Sequence, residues 1–317
     1  MKIVDVQEAK ILLQRGDVVA IPTETVYGLG GWIKSEAGLK KIFSAKERPF
    51  FDPLIVHVES EEKARTLTSE WTSVHELFAK FCWPGPLTMI AKKNDLVHPL
   101  ITSGLDSVGL RCPNHPLTLT LLRDIEGGVA APSANKFGKT SPTTSAHVFD
   151  EFGESVAILE GEASEVGIES TVVGILDGGN RIEIYRPGFF TATKLEELLK
   201  QQGFRQKVTY AESPVAPGQL KHHYMPRIPL VIVSPEFSWE RDCGLIEKSL
   251  GQKFLRPKFW DQDRDPVLAS RNLYQHLRTC DLQGYDLIVT KFERHHESED
   301  WRGIWNRLQK AKTLALL

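Results

Sequence analysis

Short apolar runs rich in β-branched residues alternate with segments of helical period almost from the first residue, and this alternation restricts the chain to an α/β fold. Asp5 and Glu8 form a D-x-x-E start signal, Leu12 and Leu13 share one helical face, and Gly16 closes that helix. VVAIP follows as a buried strand. Further β-rich runs are LIVHV, LTMIA, SVGLRC, GGVAAP, SVAIL, STVVGIL and RIEIYRP, separated by the helical stretches SEAGLKKIF, SVHELFAKF and HPLTLTLLRDI. The Gly-rich DGGN between STVVGIL and RIEIYRP marks an antiparallel hairpin, so the sheet is expected to be open, twisted and mixed rather than purely parallel. Thr193 and Glu196 predict a capping box for KLEELLKQQG, with Gly203 as its stop.

A length of 317 residues suits two domains, and the text divides accordingly. From Phe204 to Arg227 the helical period is lost and three prolines appear, which reads as a linker. Beyond it IPLVIV, a helix opening at Asp265-Pro266, YDLIVTKF and the amphipathic WRGIWNRLQKAKTLALL build a second, smaller α/β domain. Trp301, Ile304, Trp305 and Leu308 fall on one face of the last helix and are read as domain core. The expected division is a first domain at 1–203, a linker at 204–227 and a C-terminal domain at 228–317.

Several function classes lose support at this stage. The formal net charge of −2 does not advertise nucleic-acid binding, so any RNA contact must be a local basic groove. Cys82, Cys112, Cys243 and Cys280 form no CxxC pair, which argues against a zinc site and a secreted disulfide framework and fits a reducing cytoplasm. Neither export nor membrane insertion is expected, because no signal-peptide pattern and no run of eighteen apolar residues occurs. There is no G-x-S-x-G elbow, no P-loop and no H-E-x-x-H helix. GLGGWI starts like a dinucleotide fingerprint but has Ile33 where the third glycine belongs. His222-His223 and His295-His296 are adjacent, point apart and are read as exposed polar histidines.

What remains is a set of anion binders at strand ends. IPTETVYGLGG leaves a buried strand with Thr23, Glu24, Thr25 and Tyr27 and with glycines that let backbone N–H groups approach a ligand. SAKERPFFDPLIVHV sets Lys46 and Arg48 two apart, followed by prolines that are expected to hold the segment extended and both cations on one side; exposed surface charge is the competing reading. Arg111 ends SVGLR, where its guanidinium serves either to grip a carboxylate or to complete a buried structural ion pair. APSANKFGKTSPTT gathers Ser133, Asn135, Ser141 and neighbouring amides just past a strand end, where open α/β sheets bind ligands; a helix cap at Thr143 or Thr144 accounts for one of its hydroxyls.

Taken together, IPTETVYGLG, KERPFFDPLIVHV, WPGPLT, GLRCPNHP, APSANKFGKTSPT, GIESTVVGI and YRPG resemble the successive motifs of the YrdC-like family, over residues 1–200, with the linker and small C-terminal domain of its two-domain form. The resemblance implies a twisted open sheet whose concave face binds ATP, L-threonine and bicarbonate and makes threonylcarbamoyl-adenylate and pyrophosphate, with Mg2+ accompanying ATP and the product feeding tRNA threonylcarbamoyladenosine formation. Carried onto this sequence, the ATP positions are Lys46, Arg48, Asp52, Ser107, Ser133, Asn135, Ser141, Arg186 and Tyr224, with Lys46 and Arg48 acting in catalysis. The threonine positions are Thr25, His57, Arg111, Ala131 and Ser170, and no metal ligands are assigned. Two departures stand out: Asp52 occupies a position where the family commonly has Asn, and APGQLKHHYMP replaces SPGMKYRHYAP. The linker is expected to close over the ligands. Implied partners are a tRNA contact and the downstream tRNA threonylcarbamoyl transferase machinery. Two rivals use the same resemblance: a non-catalytic RNA-binding module on the same basic concave face, and a carbamoyl-handling enzyme of another pathway, whose accessory zinc and acylphosphatase modules are absent here.

Overall fold

The computed structural model describes residues 1–212 and 223–317, and they divide into two compact units. Met1–Phe137 and Ser141–Gln219 form the larger unit, and Gly138–Thr140 group with Leu220–Leu317 in the smaller. The larger unit runs β1 (Ile3–Val4), α1 (Val6–Gln14), β2 (Val19–Ile21), β3 (Gly28–Trp32), α2 (Glu36–Lys46), β4 (Ile55–His57), α3 (Glu61–Arg65), α4 (Ser73–Cys82) and β5 (Leu87–Lys92). It continues with α5 (Pro99–Thr102), β6 (Ser107–Arg111), α6 (Pro116–Asp124), β7 (Val129–Ala130), α7 (Ser145–Phe152), β8 (Ala157–Leu159), β9 (Thr171–Leu176), β10 (Arg181–Arg186), α8 (Ala192–Gln201) and β11 (Val208–Tyr210).

Among the described residues these strands form one 11-stranded mixed sheet, ordered β1-β8-β2-β3-β7-β4-β6-β5-β9-β10-β11. The β9–β10 hairpin is antiparallel, as DGGN foretells. Alternation along each strand decides which face a side chain occupies. Val56, Val108, Leu110 and Ala130 pack with Leu39, Ile42 and Phe43 of α2, Ile101 of α5 and Val148 of α7. On the same face Met89, Val173, Ile182 and Ile184 pack with α4 and α8. On the other face Val19, Ile21 and Val129 at one end meet Leu13 of α1 and Leu121 and Leu122 of α6.

Following the register away from that end shows what replaces the aliphatic residues. Val129 pairs with His57, and His57 with Arg111. Gly109 pairs with Ile90, Thr88 with Val172, and Val172 with Arg186. Beyond α1 and α6 the face therefore carries the polar His57, Ser107, Arg111, Thr88 and Arg186 interspersed with Ile55, Ile90, Val172, Gly109 and Gly174.

In the smaller unit β12 (Leu230–Val233), α9 (Trp239–Leu250), β13 (Pro257–Trp260), α10 (Pro266–Leu282), β14 (Leu287–Lys291), α11 (Arg302–Ala311) and β15 (Leu314–Leu316) follow in order. Its 4-stranded sheet is ordered β13-β14-β12-β15 and is parallel throughout. Asp265 caps α10 with Pro266 in its first turn, as read from the sequence.

Three local expectations are corrected. The cap of α8 is Thr191, whose side chain accepts the Lys194 N–H, because Glu196 is occupied in accepting the Val208 N–H and so ties α8 to β11. Replacing Thr191 by Ala is expected to lower stability by about 1 kcal/mol, read as a lower urea midpoint at unchanged slope; an unmoved midpoint would place the cap elsewhere. The terminal helix ends at Ala311 because Thr313 donates to the Leu230 carbonyl and draws TLALL in as β15 beside β12. Of its apolar stripe Trp301, Ile304 and Leu308 are buried as core, whereas Trp305 is half-buried. Finally, the KER segment is not extended: Lys46 ends α2 and Glu47 takes a left-handed cap, φ 55°, that turns the chain before Arg48.

Candidate active site

That turn buries both cations against the APSANKF loop. Lys46 Nζ donates to the carbonyls of Ser133 at 2.6 Å and Asn135 at 2.5 Å. The Phe137 N–H returns to the Lys46 carbonyl at 2.8 Å. The Arg48 guanidinium meets Asp52 Oδ2 at 2.9 Å and the Pro53 carbonyl at 2.9 Å and lies over the Phe137 ring. Lys46, Arg48, Asp52 and Asn135 are all buried, so the surface-charge reading of the two cations fails. Burial, and then Arg48, push the Lys46 pKa well below its ordinary value. Burial also raises Asp52, outweighing the opposing pull of Arg48, Lys46 and Arg186. Asp52 serves here as the counter-charge of Arg48.

The hydroxyls of the loop are largely committed within the protein. Ser141 donates to Glu169 at 2.5 Å, Thr144 caps α7, and the Asn135 amide donates to the Lys136 carbonyl. Arg186 donates to the Ser170 carbonyl and hydroxyl, each at 3.1 Å, and that hydroxyl meets Thr88 at 2.8 Å. The Arg186 charge also lies near enough to Asp52 to favour its ionised form, after Arg48 and Lys46. Ser107 stands at the start of β6, four residues before Arg111, and borders an apolar cavity of about 100 Å³ lined also by Ile90, Gly109, Leu176 and Tyr185.

A second cluster occupies the far ends of β4 and β6. Arg111 Nη2 lies 2.8 Å from Glu24 Oε2, both side chains being about 5% exposed, so the ion-pair reading of Arg111 is realised. The Asn114 N–H donates to the same oxygen at 3.1 Å. His57 is Arg111's neighbour across the strands. Burial, and secondarily Arg111, lower its pKa to about 3, so the ring is neutral at pH 7. With an ordinary value of 6.5, this group contributes stability above about pH 6.5 that is lost as the pH falls towards 3. Glu24 Oε1 and His57 Nδ1 are buried with no hydrogen-bond partner among the described residues, and Arg111 Nη2 makes no hydrogen bond of acceptable direction. Buried polar atoms without partners mark where a polar ligand or water belongs. Ala131 donates its N–H to the Ile55 carbonyl beside this cluster, and the Thr25 hydroxyl meets Thr23 at 2.9 Å in the loop that carries Glu24.

Tyr224 belongs to the smaller unit, where it is buried between His223, Tyr274 and Arg307 and its carbonyl accepts the Thr140 hydroxyl. His223 and His296 are buried rather than exposed, His296 among Phe292, Trp301 and Trp305. His222 and most of the APGQLKHHYMP segment lie outside the described residues. Glu24, Thr88 and Glu169 were not assigned to the site from sequence; the only hint was a carboxylate directly after a buried strand. Among the described residues no cluster of three or more His, Cys, Asp or Glu side chains is arranged to hold a metal, and no helix is long and apolar enough to cross a membrane. Magnesium in ATP sites takes one or two carboxylates together with the phosphates; the carboxylate of the cation cluster is Asp52, whose Oδ2 faces Arg48 without a well-directed hydrogen bond and would be the one to share such an ion.

The mixed α/β sheet thus carries two buried charged clusters, Lys46–Arg48–Asp52 and Glu24–Arg111–His57, which places it among the α/β folds with anion-binding chemistry at their strand ends. The family described as Telomere recombination (Sua5_yciO_yrdC) matches residues 11–188, and the Threonylcarbamoyl-AMP synthase, C-terminal domain family matches 190–313. Threonylcarbamoyl-AMP synthases of Pyrococcus abyssi and Bacillus subtilis are each 35% identical, over 94% and 96% of this chain and 91% and 92% of their own lengths. The crystal structure of P. abyssi Sua5 complexed with L-threonine superposes with a TM-score of 0.86 at 30% identity, covering 100% of both chains. E. coli YciO, at 18% identity and TM-score 0.52 over 61% of this chain and 97% of its own, shares the fold. The chain belongs to the Sua5/YciO/YrdC family, in its two-domain threonylcarbamoyl-AMP synthase branch.

Proposed function

We propose that this chain condenses ATP, L-threonine and bicarbonate into threonylcarbamoyl-AMP with release of pyrophosphate, the first step towards threonylcarbamoyladenosine in tRNA. The observation that supports the reading is that Arg186, hydrogen-bonded to Ser170, lies on the same sheet face as Arg111 and His57 and near enough to Asp52 to favour its charged form. In this reading Lys46, Arg48, Ser133, Asn135, Ser141 and Arg186 face the triphosphate, and Ser107 lies on the nucleotide's side of the site. Thr25, His57, Arg111, Ala131 and Ser170 surround threonine. Tyr224 is assigned to the nucleotide by family resemblance alone.

The threonine amine and bicarbonate give a carbamate and water. A carbamate oxygen then attacks the α-phosphorus, and the α–β bridging oxygen leaves with pyrophosphate. No protein nucleophile is needed, and burial pushes the Cys82 and Cys112 thiols up to about 12, out of that role. Lys46 and Arg48 neutralise charge developing on the phosphates, and the neutral His57 and Arg111 fix the amino acid in line. Bound magnesium would supply further charge neutralisation on the phosphates. The buried setting keeps water from the mixed anhydride. The adenylate then passes, in the cytoplasm, to the transferase machinery that modifies tRNA.

Pyrophosphate release measured with threonine and bicarbonate omitted in turn tests this. Release requires both. Salt-sensitive RNA binding without threonine-dependent ATP consumption would favour a binding module instead.

A further inference from the structure

The Glu24–Arg111 pair is built unlike an ordinary structural ion pair. Arg111 donates through Nε to the Gly85 carbonyl, and Glu24 accepts from Asn114 N–H, so both side chains are fixed from behind. Glu24 Oε1 is buried with no hydrogen-bond partner among the described residues, and Arg111 Nη2, although 2.8 Å from Glu24 Oε2, makes no well-directed hydrogen bond to it and so keeps N–H capacity for a ligand. A structural pair normally satisfies such atoms, because each one left unmade inside a protein is costly. An unfilled carboxylate oxygen beside a guanidinium that its ion pair only partly engages is the complement of an α-amino acid zwitterion.

We propose that Glu24 receives the ammonium group of the amino-acid substrate while Arg111 takes its carboxylate, which makes Glu24 a specificity-determining residue selecting amino acids over hydroxy acids. The inference rests on the proposed reading of this cluster as the threonine site. Thr25 and Ser170 contribute hydroxyls near by, but neither carries the negative charge that an ammonium requires.

Binding of threonine and of 3-hydroxybutyrate, the same molecule without its amine, is measured by calorimetry on the full chain and on Glu24→Gln. The wild type binds threonine at least about tenfold more tightly than 3-hydroxybutyrate, as a charge-assisted hydrogen bond predicts. In Glu24→Gln that preference falls by about 10- to 100-fold, mostly because threonine weakens. If Glu24 only props Arg111, both ligands weaken together and the preference stays, which overturns the proposal. The wild-type comparison decides the matter even if Glu24→Gln does not fold: equal affinities overturn it. A wild type that binds no threonine at all sinks the reading of the site itself, whereas undiminished threonine preference in Glu24→Gln sinks only the role of Glu24.

Discussion

Replacing Lys46 with Met is expected to lower threonine-dependent pyrophosphate release by at least about 10²–10³-fold, as removal of one charge-stabilising donor does elsewhere, while the protein stays folded. The separation follows from what Lys46 touches. Its side chain is 1% exposed, and among the described residues its ammonium has two carbonyl acceptors but no carboxylate in ion-pair contact. Burying a cation on those terms costs stability, which the lowered pKa of Lys46 reflects. Met keeps the volume and removes the buried charge, and leaves the Ser133 and Asn135 carbonyls without their donor at about 1 kcal/mol each. The two effects oppose, so the thermal midpoint should move by less than about 5 °C. A Lys46→Met variant that unfolds would make Lys46 a structural residue; one that keeps full activity would remove it from the chemistry.

Arg111→Met should behave in the opposite way and damage the fold first. Removing one member of a buried pair strands the other, a loss of about 3–5 kcal/mol, or about 10 °C in thermal midpoint for a unit of this size. Glu24 is the stranded group. The double variant Arg111→Met, Glu24→Gln removes both charges and should regain most of the lost midpoint without regaining threonine binding. Recovery of threonine binding in the double variant, or an unmoved midpoint in Arg111→Met, would contradict the arrangement described. Of the two roles that the sequence leaves open for Arg111, the structure realises the ion pair with Glu24, and the double variant tests the other.

The elements that could be read from sequence are those fixed by neighbours in the chain. Asp5 with Glu8, Asp265 with Pro266, Thr144 and the DGGN turn each act within four residues, and each appears where it was read. What was hidden depends on strand order. His57, Arg111, Thr88 and Arg186 share a face because β4, β6, β5, β9 and β10 lie side by side, an order that no local pattern encodes. Glu24 was named among the strand-end binders but not paired with Arg111, because that partner lies far along the chain, in another strand. The hydroxyl-rich APSANKFGKTSPTT was read for its side chains, yet its firmest contribution to the cation cluster is two backbone carbonyls aimed at Lys46. The extended reading of KERP failed because the left-handed Glu47 gives no sequence warning of the kind a glycine would.

One face of the mixed sheet is expected to hold a triphosphate and an amino acid next to each other. Crystals grown with threonine and a non-hydrolysable ATP analogue test it most directly. Density for the phosphates at Lys46, Arg48 and Arg186, with threonine between Arg111, Glu24 and Ser170, is the expected result. Either ligand seated on the helix-covered face, or the two bound at separate places, would contradict it.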